Sequence, residues 1–125
     1  MAVHTLRAER KNLDAPDETR AFSKGKLEVV TLGETSLGRA TFEPGWKWSE
    51  CVKPIAGTAS CQAAHLGYVV SGRMKVVMDD GQQLEFGPGD GMSLPPGHDA
   101  WIVGDERCVV VDFIGFANYA NPASS

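Results

Sequence analysis

From Leu27 onward, turn-forming residues interrupt the chain at roughly eight- to twelve-residue intervals, and short apolar runs fill the gaps. The interruptions include Pro44-Gly45, Gly72, Asp80-Gly81, Gly87-Pro88-Gly89-Asp90, Pro95-Pro96-Gly97 and Gly104-Asp105-Glu106. Many short strands between many turns imply an all-β domain, either a sandwich or a closed barrel. Closure is favoured because it removes the exposed edges that so many short strands would otherwise present.

The runs predict strands over Leu27–Leu32, Leu37–Phe42, Trp46–Lys53, Cys61–Ser71, Arg73–Met78, Gln82–Phe86, Met92–Leu94, Ala100–Val103 and Arg107–Phe113. Pro54 ends the third run, and Ile55–Ser60, with Gly57, reads as a loop. Asp80-Gly81 predicts a two-residue hairpin in which both central residues take positive φ. Gly104-Asp105-Glu106 predicts a hairpin between the last two runs. Ahead of Leu27, Arg7–Lys26 is rich in charge, and Asp14-Ala15-Pro16-Asp17-Glu18 predicts a short helical turn. This segment reads as an arm or edge element packed on the barrel. The expected division is therefore an arm over 1–26, a barrel over 27–118 and a tail over 119–125.

At 125 residues, one domain with one core is the expectation. Lys plus Arg is 12 against 16 for Asp plus Glu, a formal charge of −4. That balance supplies no electrostatic reason for nucleic acid or an anionic membrane as partner. Cys51, Cys61 and Cys108 are an odd number, unlike a secreted disulfide framework. Met1–Leu13 has no apolar segment of the signal-peptide kind, and no apolar run approaches the roughly 20 residues of a membrane helix. A cytoplasmic protein with free thiols is expected.

Two segments between Gly45 and Trp101 resemble the motifs of the cupin family, in its small single-domain, conserved-barrel (cupin_2) form. The first motif runs Gly, five residues, His-x-His, a few residues, Glu, six residues, Gly. Here Gly45 stands five residues before Cys51, Lys53 falls at the second His, and His65 takes the Glu place ahead of Gly72. His65-Leu66-Gly67-Tyr68-Val69-Val70-Ser71-Gly72 is similar to the family's Glu-x-x-Tyr-Val-Leu-x-Gly. The second motif is Gly, five residues, Pro-x-Gly, two residues, His. Gly89, Pro95 and Gly97 match it in register, and Ala100 stands where the His is expected. His98 and Asp99 lie just before that place, and either fits the ligand position if the turn is one residue short. The resemblance implies a double-stranded β-helix, or jelly-roll, barrel whose centre holds a divalent transition metal (Zn, Fe, Mn or Cu) and a small-molecule ligand. Homodimers are common in such barrels, and the charged arm suits pairing between copies.

Side chains alternate between lumen and exterior along a barrel strand. Cys61, Ala63, His65, Gly67 and Val69 therefore share one face, with small neighbours around the imidazole. Cys51, His65 and His98 are the expected metal ligands. Thiolate and imidazole favour zinc, iron or copper over magnesium and calcium, and three ligands leave a position for water or substrate. Asp99 is the expected base or substrate-orienting group, and Lys53 the anchor for an acidic substrate group. Cys61, Trp48 and Trp101 are expected to line the pocket.

Each assignment has a structural alternative. His65 also suits a core position with its nitrogens bonded to neighbours, and His98 or Asp99 a place in the turn. Lys53 reaches solvent if its strand frays at Pro54. Cys51 and Cys61 suit buried apolar positions, or a redox pair, as readily as ligation. The tryptophans also suit plain filling of a barrel end. Two function classes follow: a metal-dependent enzyme of oxygenase, isomerase, cyclase or lyase type, and a non-catalytic binding or sensing module whose metal site has degenerated.

Overall fold

Alternation along the apolar runs decides which face of each strand is buried, and the computed structural model, which describes residues 7–114, follows that alternation closely. Its strands are β1 (Glu18–Phe22), β2 (Gly25–Leu32), β3 (Thr35–Phe42), β4 (His65–Ser71), β5 (Met74–Met78), β6 (Gln83–Phe86), β7 (Gly91–Leu94), β8 (His98–Ile102) and β9 (Cys108–Ile114). Two short helices, α1 (Trp48–Cys51) and α2 (Lys53–Ala56), lie between β3 and β4. On β5, Met74, Val76 and Met78 are buried while Lys75 and Val77 are half-exposed. On β8, His98, Ala100 and Ile102 are buried while Asp99 and Trp101 are not.

The strands form two antiparallel sheets. Six pair in the order β1-β2-β3-β9-β4-β7, and three in the order β6-β5-β8. Leu27, Phe42, Val69 and Val110 from the larger sheet meet Met74 and Ile102 from the smaller in one core. Burying side chains of this size stabilises the fold by about 1.5–3 kcal/mol each. The turn spacing pointed to a sandwich or closed barrel, and these two sheets are the jelly-roll architecture that the resemblance implies.

Four local expectations are corrected. Trp46–Lys53 is not a strand. Trp48, Cys51, Val52 and Ile55 repeat with helical spacing, and the backbone bonds run from Cys51 N to Lys47 O and from Val52 N to Trp48 O, at 2.8 and 2.9 Å. Pro54 sits in the first turn of α2, where its missing donor costs nothing, and Gly57 ends that helix at φ 78°. The 80–81 hairpin has a three-residue loop instead of a two-residue one. Gly81 N donates to Met78 O and Met78 N to Gln82 O, and in that loop only Gly81 has positive φ (95°). This is a turn followed by a left-handed glycine, a standard three-residue hairpin loop.

The turn at Gly104 does not join a hairpin either. β8 pairs with β5, whereas β9 pairs with β3 and β4, so the turn carries the chain from one sheet to the other. β9 buries Cys108, Val110 and Asp112 on one face and leaves Val109 and Val111 half-buried on the other, and it occupies the middle of the larger sheet. In place of a helical turn at 14–18, Asp14 N donates to the Asn12 side chain and β1 begins at Glu18. β1 pairs in register with β2 and stands first in the order of the six-stranded sheet. His4, the barrel end 115–118 and the tail 119–125 lie outside the described residues. Among the described residues, no helix is long and apolar enough to cross a membrane.

The segment 46–61 closes the free edge of β8. Lys47 bridges to Trp101, Cys61 bridges to His98, and α1 and α2 span the interval between those bridges. Asp99 Oδ1 accepts the Ser49 N–H at 3.1 Å, which caps α1 from the neighbouring strand because Lys47, at the N-cap itself, has no side-chain acceptor.

Candidate metal centre

Between the two sheets lies a cavity of about 40 Å³, room for roughly three waters at ~10–15 Å³ each by the same measure. Its wall is mostly apolar, with Leu27, Phe42, Trp46, Trp48, Met74 and Val110 among the lining residues. Into it project Cys61, His65, His98 and Asp112.

The first three converge. One potential ligand atom from each of Cys61, His65 and His98 lies within 4.8 Å of the others, the group of this kind found among the described residues. Their placement follows from pairing. Cys61 N donates to His98 O at 2.8 Å, so these two are cross-strand neighbours. His65 opens β4, on the inward face it shares with Gly67 and Val69. Its Nε2 lies 3.8 Å from Cys61 Sγ, and the two imidazole centroids are 5.4 Å apart.

Both rings are held from behind. His65 Nδ1 lies 3.0 Å from Asp112 Oδ2, and His98 Nδ1 lies 3.0 Å from Pro95 O. A carboxylate or carbonyl on one ring nitrogen fixes the ring's orientation and leaves the other nitrogen for a metal. The Pro95-Pro96-Gly97 turn supplies that carbonyl, and Gly97, at φ 95°, turns the chain back at a point where a Cβ would meet Asp79 Oδ2 at 2.8 Å.

The charges in this group depend on one another. Burial pushes the Cys61 thiol up, but the His65 and His98 imidazoles outweigh it and bring it down to about 6. Burial pushes the His65 imidazole down, but the Asp112 carboxylate and the Cys61 sulfur outweigh it and raise it to about 9. Without metal, the centre therefore favours a thiolate beside an imidazolium, and the sulfur is already in the form that ligates metals.

The segment 46–110 matches the family model of the EutQ-like cupin domain, more than half of the chain. The chain belongs to the cupin family. No curated protein sequence matches it significantly. Among solved structures, this cupin is similar to oxalate decarboxylase of Lactobacillus farciminis, with 20% identity over 86% of this chain and 32% of that one and a TM-score of 0.58. It is similar to a sugar phosphate isomerase of the cupin superfamily from Silicibacter pomeroyi, with 18% identity over 84% and 75% of the two chains and a TM-score of 0.57. It is similar to the polyketide cyclase RemF of Streptomyces resistomycificus, with 18% identity over 85% and 79% and a TM-score of 0.56. At these identities the likeness is one of fold.

The structure brings together some of the residues singled out in the sequence and separates others. His65 and His98 meet, and of the two candidates in the second motif His98 faces inward while Asp99 faces the other side of β8. Asp99 is occupied as the cap of α1, and a second bond from Ala100 N at 2.9 Å holds it there. It does not line the cavity. Cys51 is buried in the core on α1 and is not in the converging group; Cys61 is the sulfur that the fold brings to the histidines. The reason is the helical path of 48–56, which takes up the long gap before His65 and leaves Cys61, three intervening residues ahead of it, as the extended-chain partner. Lys53 is exposed on α2, away from the cavity. Trp48 lines the cavity, whereas Trp101 lies half-buried on the outward face, with Lys47 Nζ 5.3 Å from its ring centroid. All three thiols are free.

Two residues of the site were missed by the sequence reading. Asp112 interrupts the apolar run of β9 at a position that alternation from Cys108 and Val110 turns inward, so a signal was present. Trp46 lines the cavity and carries a buried Nε1–H that is unpaired among the described residues, whereas only Trp48 and Trp101 were expected at the pocket.

Proposed function

We propose that this cupin binds a divalent transition metal through Cys61, His65 and His98 and uses it on a small organic substrate, in chemistry of the oxygenase, isomerase, cyclase or lyase type. The observation that carries the reading is the convergence of one sulfur and two imidazoles on a cavity, each imidazole anchored at its Nδ1. The donor set fits: a thiolate with two imidazoles, His65 releasing its proton as the metal binds, suits zinc, iron or copper, and a three-residue set leaves a position for water or substrate. A metal held there would polarise a substrate oxygen or lower the pKa of a bound water to about 7. Asp112 keeps the His65 ring oriented and the Pro95 carbonyl does the same for His98, while the apolar wall excludes bulk water. The isomerase, cyclase and decarboxylase named among the structural neighbours fall within the reaction types proposed.

Elemental analysis of untagged protein tests the reading. Near-stoichiometric metal that disappears in His65→Ala supports it. Folded protein that is metal-free and takes up no added Zn²⁺, Fe²⁺, Mn²⁺ or Cu²⁺ overturns it and leaves a non-catalytic binding module.

A second reading rests on the chain of contacts Cys61–His65–Asp112, at 3.8 and 3.0 Å. A base held by a carboxylate beside a thiol is the arrangement that activates a nucleophilic cysteine. Activity that survives a chelator but not Cys61→Ser selects this reading. A homodimer belongs to the same proposal, since among the described residues β1 has no strand paired on its outer edge. Light scattering at micromolar concentration checks it against the 13.4 kDa monomer.

A further inference from the structure

Trp46 is 2% exposed, and it is one of the residues lining the cavity that holds the Cys61–His65–His98 group. Its Nε1–H is a buried side-chain donor with no hydrogen-bond partner among the described residues. Buried donors in native proteins are nearly always paired, because an unmade bond leaves the cost of losing water uncompensated. The two aromatic rings that flank the indole carry no acceptor atom. Phe42 and Phe22 flank it with centroids at 4.3 and 6.4 Å. The residue is anchored by its backbone, where Trp46 N donates to Glu43 O at 3.1 Å and Trp46 O accepts from Ile102 N at 3.0 Å.

The charge of the cavity narrows what the missing acceptor belongs to. Among the described residues no Lys or Arg lines the cavity, and Lys53, the cation expected to hold an acidic substrate, is exposed elsewhere. A divalent ion in the centre would have the Cys61 thiolate on it and the Asp112 carboxylate close by, so the described residues around it offer an anion no fixed cation. An unpaired carboxylate in an apolar cavity is strongly disfavoured, whereas a neutral carbonyl needs only one good donor.

We propose that the Trp46 N–H donates to an oxygen of the molecule that occupies this cavity, and that this molecule is small and uncharged, a carbonyl compound in the simplest case. The assignment rests on the cavity being a ligand site, and it specifies the substrate class for the function proposed above.

Indole N–H resonances of ¹⁵N-tryptophan-labelled, zinc-treated protein test it. Three such signals are expected from the three tryptophans, with Trp46 assigned by Trp46→Phe. Cyclopentanone shifts the Trp46 indole proton downfield in a saturable way and leaves the other two nearly unmoved. Cyclopentane, which lacks the acceptor, and butyrate, which carries a charge, produce no such shift. Replacing Trp46 by benzothienylalanine, in which sulfur takes the place of the N–H at nearly constant shape, weakens cyclopentanone binding roughly two- to tenfold. The same replacement leaves cyclopentane binding unchanged. A Trp46 signal that cyclopentanone does not move, or that butyrate moves equally, overturns the proposal. Zinc content measured on the same sample keeps the two readings apart: a loaded protein with an unmoved signal removes only this one, and an unloaded protein with the shift removes only the metal.

Discussion

Cys61 and His98 are cross-strand partners, with Cys61 N donating to His98 O at 2.8 Å and both side chains turned into the same cavity. The sulfur and one imidazole of the centre are thus positioned by a backbone bridge, while the second imidazole comes from the facing sheet. Cys51 has no such link to the histidines.

This distinction is testable with cobalt. Co²⁺-loaded protein is expected to show a sulfur-to-metal charge-transfer band that survives Cys51→Ser and Lys53→Ala and is lost in Cys61→Ser. A band that follows Cys51 instead would return the sulfur ligand to the position the sequence motif suggested.

In the proposed centre Asp112 would act on a metal through His65, so its removal should weaken the site without abolishing it. Asp112→Asn is expected to lower zinc affinity by about 10- to 100-fold, the usual cost of losing a partner that orients a histidine. Competition with a chromophoric chelator measures this. Unchanged affinity in a folded variant would mean that His65 is not a ligand or needs no orienting.

The linked charges give the metal-free protein a particular pH profile. Cys61 is lowered to about 6 on folding, so its contribution to stability is complete above the ordinary thiol value and is lost as pH falls through about 6. His65 is raised to about 9, so its contribution is complete below 6.5 and is lost as pH rises through about 9. Urea unfolding in the presence of a chelator should therefore find greatest stability between those two limits. The plateau should flatten in Cys61→Ser, and a profile identical to that variant's would contradict the pairing. Cys108, raised to about 11 by burial and by Glu106, should contribute no thiolate in this window.

Two glycines with similar backbone angles should respond differently to a methyl group. Gly72 has φ 76°, and a Cβ there would lie 2.5 Å from Arg107 O and from Cys108 Cα. Gly81 has φ 95° with nothing within 4 Å. Gly72→Ala is expected to cost about 3 kcal/mol through clash plus strain, and Gly81→Ala about 1 kcal/mol through strain alone. Chemical denaturation compares them, and equal losses would show that packing at the β4–β5 turn is looser than described.

The architecture was legible because turn residues and alternation are local signals. Gly72, Gly89 and Gly97 each occupy a positive-φ turn, and the expected inward residues His65, Gly67 and Val69 share a face. The cysteine that joins the histidines was not legible in the same way. Trp46 and Trp48 alternate like a strand, while Trp48, Cys51, Val52 and Ile55 repeat like a helix. Over so short a run only the tertiary setting, with Asp99 capping α1 from β8, decides between them. Asp112 could have been found by carrying the alternation through β9. The pairing state of the Trp46 N–H is a property of three-dimensional surroundings that no local pattern records.

The two layers of the sandwich meet their most polar contact at the cavity. Cys61 and His98 belong to the side of the smaller sheet, and His65 and Asp112 to the larger one. Any occupant that binds all of them rivets one layer to the other, so that melting temperature becomes a gauge of loading and the empty protein is the one that comes apart first along this seam.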